Sequence, residues 1–294
     1  MPCVRVRACY GMTVDALWIR KGSVVAMERD GQIRWNPADY AANSRHQREW
    51  ALELLEKLHA APDEIVLDIG CGDGKVTAML AHEVPKGFVL GIDLSAEMIG
   101  YARQTFPRED YPNLRFMRMD ASHIRLPRVF DAAFSNACLH WLRDHEAVLE
   151  GLHSCLKPGG RLLFQMGGAG NARDMLAAMD EVTRRNHWKA FFRGFVPPYH
   201  FYGPTEYGRW LEKTSFRPVR TELIDKDMVH DTMASLAAWL RTTWFPYTDR
   251  LSDGHREEFI QDVVDEYLTC HPPDEEGRIH VAMVRLEVEA LAVV

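Results

Sequence analysis

Ile65-Val66-Leu67-Asp68-Ile69-Gly70-Cys71-Gly72-Asp73-Gly74 decides how this 294-residue chain is read. The opening apolar run is of the kind that forms a buried parallel strand, and the glycines after it open a turn ahead of a helical stretch at 76–83. Glycine at such a turn bares the backbone, so a ligand can lie close against it. A second apolar run, Phe88-Val89-Leu90-Gly91-Ile92, ends in Asp93. A carboxylate at the C-terminal end of a parallel strand is an acceptor-only group suited to the two hydroxyls of a ribose. A nucleoside-shaped ligand is implied.

Spacing narrows the choice of nucleoside. The dinucleotide fingerprint is G-x-G-x-x-G, with a pyrophosphate on a helix N-terminus. This turn is spaced G-x-G-x-G and carries Asp68 and Asp73. Carboxylates repel a pyrophosphate and suit a cationic or zwitterionic ligand. The phosphate-loop pattern G-x-x-x-x-G-K-[ST] also fails, because Ile69 stands where the first glycine belongs and Val76 follows Lys75. The combination resembles the class I S-adenosylmethionine-dependent methyltransferases. Further motifs follow in that family's order. A third apolar strand at 114–117 leads into Met119-Asp120-Ala121. Phe130-Asp131-Ala132-Ala133-Phe134-Ser135-Asn136 makes a fourth, and Leu156-Lys157-Pro158-Gly159-Gly160-Arg161-Leu162-Leu163-Phe164 supplies a helix exit, a structural turn and a fifth.

The resemblance runs from Trp35 to the C-terminus and implies an α/β fold, a doubly wound, mostly parallel seven-stranded sheet of Rossmann-like type with a helical cap. It implies S-adenosyl-L-methionine as cofactor and S-adenosyl-L-homocysteine as product. Asp68, Gly70, Cys71 and Gly72 would cradle the methionine end, the backbone amide of Cys71 contributing more than its thiol. Asp93 would take the sugar, with Leu94 and Met98 beside it. Asp120 and Ala121 would meet the adenine, and Asn136 the sulfonium end. Each residue also has a plain structural role: Asp68 as a cap for backbone amides, Asp93 as the N-cap of a helix starting near Ser95, Asp120 as a turn former. Their shared place at the ends of successive parallel strands favours ligand binding.

Two segments extend the comparison to the substrate. Trp35-Asn36-Pro37-Ala38-Asp39-Tyr40 and the following N-S-x-x-Q resemble the entrance of the trans-aconitate and juvenile hormone acid methyltransferases, which implies Tyr40 at the cofactor carboxylate and Gln47 at the substrate. Phe134-Ser135-Asn136-Ala137-Cys138-Leu139-His140-Trp141-Leu142 is similar to the segment in which the juvenile hormone acid enzymes place a Trp against the substrate carboxylate. That Trp matches Trp141, and its amide-bearing companion matches Gln47. Indole and amide N–H groups aim a carboxylate without neutralising it. His140 reads as a general base or as a satisfied interior histidine.

The remainder sets the organisation. Residues 1–30 form an extension, of which 1–26 carries four cations against Asp15, a net +3 that leaves −10 on the rest of a −7 chain. Residues 31–64 read as lid helices, including 45–59; 65–170 as the cofactor-binding core; and 171–294 as a helical cap interleaved with the last two strands. Helices are expected at 171–188, 205–214, 232–244 and 255–268, strands at 218–224 and 279–288. The cap is rich in large aromatics. Within it, Trp239-Leu240-Arg241-Thr242-Thr243-Trp244 sets a cation among rings, so Arg241 and Trp244 are candidates for the substrate, Arg241 as a carboxylate clamp or as one half of a surface ion pair.

Composition excludes several classes. No basic block gives the phosphate-neutralising surface of a nucleic-acid binder. No apolar run approaches the roughly 18–20 residues that cross a bilayer. The six cysteines show neither C-x-x-C nor zinc spacing, which points to reduced thiols, a cytoplasmic setting and no metal. The expected protein is a monomer or homodimer acting on a small molecule. The expected reaction is carboxyl O-methylation of a hydrophobic organic acid by in-line displacement. A carboxylate with a pKa near about 4 is already ionised and requires no general base. Small-molecule C- or N-methylation and non-catalytic cofactor binding are the alternatives.

Overall fold

The computed structural model describes residues 45–293. Seven strands form one sheet: β1 (Ile65–Ile69), β2 (Phe88–Asp93), β3 (Leu114–Arg118), β4 (Phe130–Asn136), β5 (Leu156–Gly167), β6 (Phe216–His230) and β7 (Ile279–Ala292). Their order is β3-β2-β1-β4-β5-β7-β6. The first five run parallel, and β7 is antiparallel to both β5 and β6. The order reverses at β1, which has β2 on one side and β4 on the other. Such a reversal leaves a crevice at the C-terminal strand ends, where open α/β sheets bind ligands.

β1 shows why the sheet is covered on both faces. Val66 packs with helices α1 (Arg45–Leu58), α2 (Lys75–Glu83) and α3 (Ala96–Thr105). Leu67 and Ile69 face the other way, against α4 (His145–Cys155) and α6 (Pro204–Lys213). A strand buried on both sides must be apolar throughout, which is the pattern of this run. The loop Lys157–Gly160 bulges out of β5, so that the pairing jumps from Phe130↔Leu156 to Ala132↔Arg161.

The cap has its own core. Helices α5 (Arg173–Arg184), α7 (Met233–Thr243), α8 (Phe245–Thr248) and α9 (Asp253–Cys270) surround it, with Trp188, Trp239, Trp244 and Phe259 at its centre. Met228 on β6 and Ile279, Val281 and Met283 on β7 belong to this same cluster. The β6–β7 ladder therefore starts in the main core at Phe216↔Ala292 and ends inside the cap at His230↔Ile279. Both strands are longer than the alternation of their sequences indicates, and α5 is shorter, giving way after Arg184 to turns through Gly194.

Helix α1 is fastened to the sheet in two ways. Trp50, Leu54 and Leu58 recur every four residues and are buried. Near its C-terminus Lys57 reaches Glu287 on β7 at 2.8 Å. Glu287 also accepts from Gln165 at 2.9 Å and from Arg220. Burial alone would raise its pKa, but Lys57, Arg220 and Gln165 together hold it below the usual carboxylate range. Leu54 is wholly buried, and Leu54→Ala should cost about 2–5 kcal/mol. Urea denaturation measures this; an unshifted midpoint would show that α1 does not depend on that contact.

Candidate active site

The turn after β1 is built by backbone rather than side chains. The N–H groups of Gly70 and Cys71 both donate to the Ile92 carbonyl, at 2.8 and 3.0 Å, which curls the turn across the end of β2. Gly70 has φ +71°, and a Cβ there would lie 2.1 Å from Cys138 Sγ. No side chain fits at that position. At Gly72, φ +53°, a Cβ would meet nothing within 4 Å, so the backbone faces open space. The Gly72 N–H donates to Asp93 Oδ2 at 3.0 Å, and the Ser95 N–H donates to Asp93 Oδ1 at 2.8 Å. Each carboxylate oxygen of Asp93 keeps a further lone pair for a ligand hydroxyl.

Two acids thus stand at neighbouring strand ends. Asp68 is buried and accepts from the Thr77 hydroxyl at 2.7 Å. Burial pushes its pKa up to about 7, against the Thr77 hydrogen bond and with help from the charge of Asp93. Asp93 is also raised, by burial first, opposed by the amides of Ser95 and Gly72. A cationic ligand group would relieve both. Asp73 is differently engaged, paired with Lys75 at 3.3 Å.

Beyond β4 the chain turns sharply. Ala137 takes φ +55°, a strained conformation for a residue with a Cβ, and its N–H donates to Gln165 at 2.8 Å. This sends Cys138 beneath Gly70 and brings His140 and Trp141 into a cavity between sheet and cap. The cavity encloses about 60 Å³ and is lined by Trp50, Tyr199, Trp239 and Trp244 as well as by Met228, Met283 and Arg285. Trp141 stacks on Phe245 at 5.5 Å and meets Tyr199 at 4.8 Å; Tyr199 in turn meets Trp244 at 4.9 Å. His140 Nδ1 accepts from the Gly167 N–H at 3.4 Å. Desolvation and then the charge of Arg285 push its pKa well below the usual imidazole range. Arg285, 4% exposed, holds its guanidinium 5.3 Å from the Trp50 ring.

The structure divides the residues expected from sequence. Asp68, Gly70, Gly72 and Asp93 converge at the β1–β2 edge, while His140, Trp141 and Trp244 line the cavity. The Cys71 amide is spent on Ile92, and its thiol is buried, with a pKa driven well up by burial and by the charges of Asp68 and Asp93. Met98 is 2% exposed, part of the buried face of α3, whereas Leu94 is 54% exposed after β2. Asp120 accepts from Ser122 at 2.9 Å and lies 3.1 Å from His123, capping a short turn that includes Ala121. Asn136 ends β4. Arg241 pairs with Glu257 at 2.8 Å and is not among the described residues that line the cavity. Gln47 falls within α1; its side chain, Tyr40 and residues 1–30 lie outside the described residues.

A family model described as a methyltransferase domain matches residues 66–160, which runs from β1 to the bulge of β5. Over 265 residues the chain is 31% identical to a trans-aconitate 2-methyltransferase of Methylobacterium radiotolerans, spanning 87% of this chain and 97% of that one. The chain belongs to the class I S-adenosylmethionine-dependent methyltransferases. It is also 27% identical to the putative methyltransferase 235L of Invertebrate iridescent virus 6, over 80% of this chain and 86% of that one. In fold it is similar to the YcgJ protein of Bacillus subtilis, with a TM-score of 0.57 at 14% identity, covering 84% of this chain and 99% of that one.

S-adenosylmethionine is the cofactor of this methyltransferase, and the residues present suit it: an open glycine backbone and two buried acids for a ligand that is cationic at both ammonium and sulfonium. Asp93→Ala should weaken its binding by about 1.5–3 kcal/mol, on the order of ten- to a hundredfold. Calorimetry reads this directly, and an unchanged Kd would overturn the expectation that Asp93 holds the sugar. The raised pKa of Asp68, about 7, sets a pH dependence. Because a cation favours the ionised carboxylate, affinity should fall as pH drops below about 7 and should level off above it, with a proton released on binding near about pH 6. Asp68→Asn should remove that proton release; its persistence would assign the titration elsewhere.

Proposed function

We propose that this methyltransferase esterifies the carboxylate of a small, apolar-bodied organic acid. The reading is carried by the chemical bias of the cavity lining. A cation, Arg285, is buried there, and no Asp or Glu is among the described residues that line it. An ammonium substrate would be repelled by Arg285 and would find no carboxylate to receive it. An anion is attracted. The rings of Trp50, Trp141, Tyr199 and Trp244 give the walls an apolar body.

The weak base in the wall supports the same reading. Alcohols, ammonium groups and carbon acids must lose a proton to become nucleophiles, whereas a carboxylate is ionised at neutral pH. His140, its pKa pushed down and its Nδ1 turned to Gly167, is poorly suited to remove one. When bound, the cofactor supplies an electrophilic methyl on sulfur. The chain's own part is to aim one carboxylate oxygen, with Trp141 and Gln47 as the proposed N–H donors, and to keep water from it. Orientation of this kind is worth roughly 7–11 kcal/mol. The trans-aconitate activity in the relatives' name is methylation of a carboxylic acid, which agrees with this assignment.

The test is a screen with methyl-labelled S-adenosylmethionine against matched acids, amines and phenols, including trans-aconitate, with product identified by mass spectrometry. Base-labile methyl esters are expected. Exclusive labelling of amines or carbon would overturn the carboxyl assignment. Trp141→Phe, which keeps the ring and deletes the N–H, should lower kcat/KM for the best acid on the order of tenfold, as for a lost hydrogen bond to a charged group.

A further inference from the structure

Gly167 closes β5, and the chain leaves the sheet there in a turn whose end, Asn171, comes back against β7. The last pair of the β5–β7 ladder is Gly167↔Arg285, and beyond it the Val284 N–H donates to Asn171 Oδ1 at 3.1 Å. A side-chain carbonyl thus takes the place of a strand partner. Because a backbone N–H can only donate, this bond fixes which end of the amide is oxygen and commits Nδ2 to the other side. Asn171 is 5% exposed and lines the cavity between sheet and cap. Among the described residues no acceptor takes a hydrogen bond from its Nδ2. A buried amide with undonated N–H bonds is the exception in folded proteins and calls for a ligand.

The surroundings of the amide say where that ligand lies. A Cβ on Gly167 would stand 3.0 Å from Asn171 Nδ2 and 2.6 Å from the Phe201 ring, so the missing side chain is what admits both. The Gly167 N–H meets His140 Nδ1, and the His140 ring lies 5.7 Å from that of Trp141 and 5.9 Å from that of Phe201. Asn171 therefore shares one corner of the cavity with the residues that follow β4. Asn136 pairs with Gln165, two residues before Gly167. By ordinary strand spacing and rise, the Gly167 Cα stands about 8 Å from that of Asn136. The indole N–H groups of Trp239 and Trp244 in the same wall are also buried without a partner among the described residues. All of these groups donate, so the ligand must bring acceptors.

An ionised carboxylate offers acceptors alone. On methylation one of its oxygens gains the methyl, the carbon–sulfur bonding pair stays on sulfur, and no proton moves. The other oxygen becomes the ester carbonyl and keeps its lone pairs, so a donor bound to it holds the group throughout the displacement. We propose that Asn171 donates from Nδ2 to that second oxygen of the reacting carboxylate and so turns the first toward the methyl. This rests on the carboxyl reading of the reacting group. A neutral amide suits the task, because charge on the carboxylate fades during transfer and an amide loses less by that than a full counter-ion. An acid in place of the amide would serve the Val284 N–H equally well and repel the substrate, so the cavity-facing end decides for Asn.

Asn171→Asp is the informative variant. It keeps the acceptor for the Val284 N–H and replaces the cavity-facing donor by an acceptor of the same shape. Hexanoate, phenylacetate and trans-aconitate are titrated calorimetrically into wild type and variant saturated with S-adenosylhomocysteine, and methyl transfer to the same acids is measured. The variant should bind S-adenosylhomocysteine within threefold of the wild type. At about pH 8 it should lose acid affinity, and kcat/KM on the acids, by about thirtyfold or more. Burial and the substrate's own charge keep the introduced carboxyl protonated to higher pH, and a protonated carboxyl donates again. At about pH 6 its kcat/KM relative to the wild type should therefore recover severalfold. His140, Tyr199 and Arg285 in the cavity wall and Arg173 beyond the turn are common to both enzymes and cancel in that ratio. A ratio independent of pH would assign the loss to a disturbed turn, and lost S-adenosylhomocysteine binding would place Asn171 with the cofactor; either overturns the proposal. Acids methylated by the variant within threefold of the wild type would remove Asn171 and leave the carboxyl reading intact. If amines alone are methylated while the variant still loses acid affinity tenfold, the carboxyl reading fails and Asn171 stands as an oxygen-binding residue. Absence of binding of all three acids to the wild type overturns both.

Discussion

The hydrogen bond from the Gly72 N–H to Asp93 Oδ2 ties the turn after β1 to the end of β2. Much of the site depends on it. With the amides of Gly70 and Cys71 on Ile92, it leaves open space beside Gly72 and holds Asp93 near Asp68, whose pKa is raised by burial first and by the charge of Asp93 after it. Two acids held near one another are costly for the free protein and favourable once a cation arrives. The fold thus stores, in a buried like-charge pair, part of its preference for a positively charged ligand.

A contrasting arrangement lies three strands away. On one face of β7, Ile279, Val281 and Met283 are cap core, and the next two positions are Arg285 and Glu287. Glu287 is neutralised within the protein by Lys57 and Arg220 and fastens α1 to the sheet. Arg285 is two residues from it and lies in the cavity wall beside Trp50. Adjacent same-face charges of opposite sign therefore serve different ends, one structural and the other facing the space between sheet and cap.

The parts of this fold legible in sequence were those written locally. The glycine turn, Asp93 after an apolar run and the strand Phe130–Asn136 each declare themselves within a few residues, because conformation and burial there are set by neighbours in the chain. The substrate side was harder to read. Arg241 stands among aromatics in sequence, yet helical geometry turns it to Glu257. Arg285 stands in a strand and is brought to the rings of Trp50, Trp239 and Trp244 only by contacts across the sheet and cap. Its signal was the placing of Arg285 and Glu287 two and four residues after Met283, in alternation with Ile279 and Val281 and so on the same strand face, a pattern that requires a buried partner or a ligand. Asp120 shows the opposite case: its capping of Ser122 is local and was open to reading as a turn former.

The long β6–β7 ladder joins the two cores as a girder, one end among the main-sheet residues and the other among those of the cap. Swinging the cap away as a separate body would mean shearing a continuous run of backbone hydrogen bonds. Traffic into the cavity is thereby steered toward rearrangement of loops and side chains at its rim. Variation in the cap helices can reshape the chamber while the girder keeps its floor, including Arg285, in fixed register with the parallel strands.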